Sequence, residues 1–150
     1  MDILPITLSY NINGQVILLY PSLIRSEEKI WLVDCGYEGS LPMIKTALSQ
    51  HGVDVSELYG IIISHDDIDH LGGLKEIKDA YPSIKVLSSE IEAPYISGAL
   101  RSLRIQQAEE LFPYLPEEHK EWALSFQEQL RSVKRIPVDE TFSFDAEISE

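Results

Sequence analysis

Near the start of the chain, Ile6, Leu8 and Tyr10 alternate with polar neighbours. That period of two predicts a half-buried strand, and Asn13-Gly14 marks a tight turn after it. Val16 to Leu19 is a continuous apolar run that predicts a second strand, Arg25 to Lys29 reads as a charged turn, and Ile30-Trp31-Leu32-Val33 predicts a buried strand ending at Asp34-Cys35-Gly36. The period then changes. Leu41, Ile44, Leu48 and His51 fall on one helical stripe, with Ser40 placed to cap it, Pro42 in its first turn and Gly52 to stop it. Ile61-Ile62-Ile63 is β-branched and wholly apolar, which predicts an interior strand. A second helix follows Gly73 with Leu74, Ile77 and Tyr81 inward and Pro82 closing it, and Ile84 to Leu87 predicts a further strand. Residues 100–133 carry a helical pattern broken at Pro113 and Pro116, and from Ile136 the chain turns strand-like again, with Phe142 and Phe144 alternating. The aromatic residues of that helical segment, Phe112, Tyr114, Trp122 and Phe126, are expected to pack in the core, the other reading being a helical hairpin over a pocket. Strands alternating with helices of these lengths predict an α/β layered fold, with residues 1–150 as one domain and 100–133 as a helical accessory segment within it.

Composition narrows the partners. Hydrophobic residues make up 44% and charged residues 25%, ordinary values for a folded chain. With 12 basic and 25 acidic side chains the formal net charge is -13, a field that repels phosphate backbones and anionic lipid. Nucleic-acid and membrane partners are therefore not expected. Cys35 is the lone cysteine, so no intrachain disulfide forms, and the N-terminus lacks the basic and apolar regions of a signal peptide. A cytoplasmic location is expected.

The chemistry concentrates after the isoleucine run. His65, Asp67, Asp69 and His70 place four potential metal ligands within six residues. Residues two apart in an extended segment point the same way, so His65, Asp67 and Asp69 converge if the strand direction persists, with a turn bringing in His70. Gly72 and Gly73 let the chain bend into the next helix. Imidazole with carboxylate suits zinc, manganese or iron. A calcium loop starting at Asp67 fails because Leu71 and Lys78 stand where oxygen ligands are needed, and no Gly-Lys-Ser/Thr phosphate loop is present. His51 reads as a cap or packing residue, and His119, in a run of charged residues, as surface.

The run Ser64-His65-Asp66-Asp67-Ile68-Asp69-His70-Leu71-Gly72-Gly73 resembles the His-x-His-x-Asp-His signature of the metallo-β-lactamase-fold hydrolases, and Trp31-Leu32-Val33-Asp34-Cys35-Gly36 resembles their upstream strand ending in Asp-x-Gly. The resemblance covers roughly residues 6–95. It implies an αββα sandwich of which this chain is the front half, with a mixed sheet and flanking helices. It also implies that His65 and Asp67 belong to a first metal site and that Asp69 and His70 belong to a second. Asp69 would orient the attacking water, and Asp34 would support the loop from behind the ligands. Zinc is the ion implied, in one or two copies. Asp67 stands where the signature has a histidine, and a carboxylate there favours harder ions such as manganese or iron. The later histidines and aspartate of the family's second half have no counterpart, since no histidine follows His119.

The expected activity is metal-dependent hydrolysis of a small-molecule ester, thioester, lactone or amide, incomplete in this chain alone. The other reading is a non-catalytic, truncated or self-associating module with weak or no metal binding. Partners consistent with either are a second copy of the chain or a complementing C-terminal half.

Overall fold

A computed structural model of the chain describes residues 1–143; Phe144, expected on the last strand, lies outside the described residues. Strands β1 (Asp2–Pro5), β4 (Ser22–Arg25), β5 (Ile30–Val33), β6 (Gly60–Ile62), β7 (Lys85–Ser89) and β8 (Glu140–Phe142) form one sheet in the order β1-β4-β5-β6-β7-β8. The first three are antiparallel neighbours, whereas β5 to β8 run parallel. Strands β2 (Leu8–Ile12) and β3 (Gln15–Leu19) make a separate antiparallel hairpin. The fold is a mixed α/β arrangement with a mixed sheet and flanking helices, as the resemblance implied.

Register explains why the apolar strands sit inside. Leu4, Leu23, Leu32, Ile61 and Val86 stand side by side across the sheet. The last four are almost wholly buried on the face that carries the main core. Helices α1 (Leu41–Ser49), α2 (Ile68–Leu71) and α3 (Leu74–Ala80) supply Ile44, Leu48, Leu71, Leu74 and Ile77 to the same core. On the opposite face Trp31, Ile62 and Leu87 form a smaller cluster, flanked by half-buried Ile24, Val33 and Phe142. Three-residue β6, buried throughout, has a parallel partner on each side, which is why the isoleucine run carries no polar alternation. Helix α4 (Ala93–Ser97) follows β7, and the chain then forms α5 (Leu103–Leu111), a short 3-10 turn at Phe112–Tyr114 and α6 (Glu117–Ser132) before returning to β8.

Two sequence expectations change, and two features of the strands go beyond the sequence pattern. Strands β1 and β4 were not visible as periodic patterns, because both are four-residue segments that gain their order from pairing with each other. The apolar run Val16 to Leu19 forms strand β3 as expected, and Val16 is 68% exposed because the hairpin pairs only with itself. Ser40 does not cap α1. It is buried in helical backbone geometry, and its hydroxyl bonds the Tyr37 carbonyl and, at 2.6 Å, Tyr10 Oη. The aromatic residues of the helical segment are not core either. Tyr114 is 84% and Trp122 67% exposed, and Trp122 stacks on Phe126 with ring centroids 5.4 Å apart.

Candidate metal centre

Two adjacent parallel strands end at the same place. β5 runs out into Asp34 and β6 into Ile63, Ser64 and His65, so residues far apart in sequence meet at the carboxyl edge of the sheet. Ile63 is locked on its other side: its N–H donates to Leu87 O at 2.8 Å, and Ser88 Oγ donates to its carbonyl at 2.9 Å. The loop therefore leaves a rigid frame rather than a free strand end.

The extended direction does not persist beyond this point, contrary to the alternation argument. The N–H groups of His70 and Leu71 both donate to Asp67 O, at 3.0 and 3.1 Å, and the segment closes into the single helical turn α2. Asp69 and His70 are thus delivered from a helix and His65 from an extended segment. The turn is held against the 34–38 segment, with Cys35 N–H donating to His70 O at 2.8 Å and Gly73 N–H to Gly36 O at 3.1 Å. Close backbone approach explains Gly72: a Cβ there would lie 2.5 Å from Ile68 O and 2.6 Å from Glu38 N. Asp34 itself adopts a left-handed φ of 63°, which turns its carboxylate back toward the loop.

That carboxylate organises the histidines. Asp34 Oδ1 accepts from Ser64 N–H at 2.8 Å, while Oδ2 lies 2.8 Å from Ser64 Oγ and 2.8 Å from His70 Nδ1. Ser64 Oγ is also 2.9 Å from His65 Nδ1. An ionised carboxylate only accepts, so Ser64 donates its proton to Asp34 and His70 donates Nδ1–H to the same oxygen. The hydroxyl oxygen is left to accept Nδ1–H from His65. Both imidazoles are thereby set with Nδ1 protonated and Nε2 carrying the lone pair, the form a metal requires. The tautomers follow from the hydrogen-bond network. The motif by itself gives Ser64 no role, and its position directly before the first histidine is the one signal of it.

The ligand atoms pair off. His65 Nε2 lies 3.6 Å from Asp67 Oδ2, and His70 Nε2 lies 3.6 Å from Asp69 Oδ2. The two imidazole centroids are 3.9 Å apart. Two ligands at tetrahedral zinc distances stand about 3.4 Å from each other, so each pair matches the spacing of donors sharing one cation. Among the described residues, however, no three His, Cys, Asp or Glu side chains gather around one such point. The donor types suit a divalent metal and each pair is spaced as two of its ligands would be, but among the described residues no third side chain completes either pair. All four side chains are about a third exposed, so they face an accessible surface.

The hydrogen bond to Asp34 is the main cause that raises the His70 pKa; burial opposes it, and the charges of Asp34, Asp69 and Asp67 add to it. Burial, reinforced by the Asp69 charge, pushes the Tyr10 and Tyr37 hydroxyls up. Cys35 is wholly buried, its Sγ donates to the His70 carbonyl at 3.2 Å, and burial pushes its thiol far up. His51 lies at the far end of α1, half-buried, with its carbonyl accepting from Arg25 at 2.6 Å, and His119 is exposed on α6; neither joins the cluster.

The sequence model described as "Metallo-beta-lactamase superfamily" matches residues 20–148, reaching beyond the 6–95 stretch through α5 and α6. The uncharacterized protein YobT of Bacillus subtilis (strain 168) is 30% identical over 76 residues, covering 51% of this chain and 31% of that protein. Among solved structures, a metallo-beta-lactamase with a HARLDQ motif from Cronobacter sakazakii is 24% identical with a TM-score of 0.48, covering 53% of this chain and 32% of its own. A metallo-beta-lactamase from Pontibacter korlensis is 18% identical with a TM-score of 0.49, covering 61% and 41%. The chain spans well under half the length of these relatives. No helix among the described residues is long and apolar enough to cross a membrane.

Proposed function

The chain belongs to the metallo-beta-lactamase superfamily, which largely comprises metal-dependent hydrolases, and from that premise we propose that the 64–70 loop holds a divalent metal for hydrolysis of a small molecule. The substrate class is an ester, thioester, lactone or amide. The observation that carries the reading is the Asp34–Ser64 network, which fixes both histidines with Nε2 available beside a carboxylate.

His65 and Asp67 would hold one ion, and Asp69 with His70 a second. Zinc suits the imidazoles, and Asp67 in place of a histidine shifts the preference toward manganese or iron. Bound there, the metal supplies Lewis acidity that brings the ionisation of water close to neutral pH. Asp69 accepts a hydrogen bond from the attacking water and directs its lone pair at the carbonyl carbon. Asp34 keeps His70 in one tautomer and orientation throughout.

Elemental analysis after dialysis against zinc or manganese tests the reading. Wild-type protein is expected to retain metal, and the His65→Ala/His70→Ala variant to lose it. Retention unchanged by both substitutions overturns it. A second reading, a non-catalytic self-associating module, is favoured by the pairwise rather than three-fold gathering of ligands. Light scattering with a lactone and ester hydrolysis assay separates the two: a monomer with metal-dependent turnover removes the module reading. A dimer without turnover, or turnover only on adding a complementing C-terminal half, removes independent hydrolysis.

A further inference from the structure

Asp66 sits between two proposed ligands yet does not join them. It is 9% exposed, and its Oδ2 lies 3.1 Å from Arg135 Nη1. Arg135 belongs to the segment between α6 and β8, and its side chain is itself only 16% exposed. The same Nη1 donates to the Tyr95 carbonyl in α4, and the arginine stem packs on Gly98, where a Cβ would stand 3.2 Å from Cδ. Asp66 Oδ2 receives no well-directed hydrogen bond among the described residues, so the pair is held by charge rather than by a directed bond.

Three consequences follow from elementary chemistry. A buried carboxylate with its partner removed is strongly unfavourable, so Asp66 stays where Arg135 is. Asp66 lies at a bend between His65 and Asp67, so anchoring its side chain inward fixes the backbone from which both neighbours project. Arg135 also compensates a negative charge that would otherwise be free to compete for a cation beside three other acids. We propose that Arg135 is a positioning residue for the metal loop, acting through Asp66 and tying the loop to the chain that follows the helical segment. The inference rests on the proposed metal reading of the loop. The two residues lie 69 positions apart by their numbering, and nothing in the sequence around Lys134-Arg135-Ile136 marks the link.

The test uses the full chain with zinc ion, and a chromophoric chelator as competitor, well below each variant's melting temperature. Arg135→Met is expected to weaken zinc affinity 10–100-fold, the range for residues that orient ligands without touching the ion. Arg135→Lys recovers part of the loss. Asp66→Asn weakens affinity as well, and the double variant loses no more than the worse single one, because the pair works as a unit. In metal-free protein, the imidazole carbon resonances of His65 and His70 shift in Arg135→Met, a readout that loss of stability alone does not move. Zinc affinity within twofold of wild type and unmoved resonances in folded Arg135→Met overturn the proposal, as does a lowered melting temperature with both unchanged. If Arg135→Met does not fold, the isosteric Asp66→Asn carries the same test and the same overturning result. His65→Ala/His70→Ala keeps the two claims apart. Zinc binding that ignores those substitutions sinks the metal reading, while the resonance shifts still decide whether Arg135 positions the loop.

Discussion

The loop from Ile61 to Gly73 and the helical segment from Leu103 to Ser132 differ in what holds them. In the loop, directional bonds dominate: Asp34 accepts from Ser64 and His70, Ile63 is bonded to β7 through both its N–H and its carbonyl, and Cys35 and Gly73 stitch α2 to the 34–36 turn. Leu71 drives the turn into the core with 1% exposure. The helical segment is held mainly along one internal seam, with Gln127 Nε2 donating to Ala108 O at 3.1 Å and Arg131 donating to Glu109 at 2.8 Å. Only Ala123, Gln127 and Leu130 of α6 are buried, while Leu111, Trp122 and Leu124 remain more than half exposed. Polar side chains can be fixed at a surface when each has a partner of the right kind, whereas an apolar face is ordered only by whatever covers it.

Paired truncations test that contrast most strongly. Leu71→Ala is expected to destabilise the protein by about 2–5 kcal/mol in chemical denaturation, the cost of a cavity in a packed core. Leu124→Ala is expected to stay within about 0.5 kcal/mol. Equal losses at the two sites would break the comparison. Next in size is Asp34→Ala, expected to weaken zinc binding by about 10–100-fold, or about 1.4–2.8 kcal/mol, in a chelator competition. Unchanged affinity would mean that the carboxylate does not orient His70.

A smaller effect concerns the return of the chain to the sheet. Asp139 Oδ2 accepts from Val86 N–H and from Lys78 Nζ, each at 2.9 Å. Burial opposes ionisation of Asp139, but these two donors and the Lys78 and Lys85 charges outweigh it and leave its pKa below the ordinary value. A lowered folded-state pKa contributes stability that is fully present above the unfolded value, about 3.9, and is lost as pH falls through the folded one. The melting temperature of wild type should exceed that of Asp139→Asn at neutral pH, and the gap should close in acid. A gap independent of pH would show that charge is not the cause. Smallest is Trp122→Ala, which removes one exposed stack on Phe126 and should cost about 0.5–1.5 kcal/mol at most. A loss as large as that of Leu71→Ala would mean the aromatic face is covered in solution.

Several elements were legible because local pattern and tertiary demand agree. Ile61 to Ile63 read as an interior strand, since a β-branched run without polar alternation suits a segment enclosed on both faces, and Leu74 and Ile77 marked the inward face of α3. The candidate site was legible in residue type but not in path. Two-residue alternation suggested an extended ligand run, but the turn α2 intervenes because Asp67 O accepts two N–H groups and Gly72 packs against Glu38. Ser40 shows the same limit: its type suits a cap, yet Tyr10 and Tyr37 claim its hydroxyl.

What the amino-acid sequence by itself determined is the inventory: a β-branched run, two histidines and two acids at signature spacing, an upstream Asp-x-Gly, and glycines where backbone must pass close. These are local, so chain order suffices to read them. Tertiary structure alone decided how that inventory is oriented. Asp34 meets Ser64 and His70 because β5 and β6 are parallel neighbours, and Asp66 faces inward because Arg135 arrives beside it from the far side of the helical segment. Hydrogen bonds and ion pairs act over a few ångströms of space, and distance along the chain carries no record of which groups folding will bring within that reach.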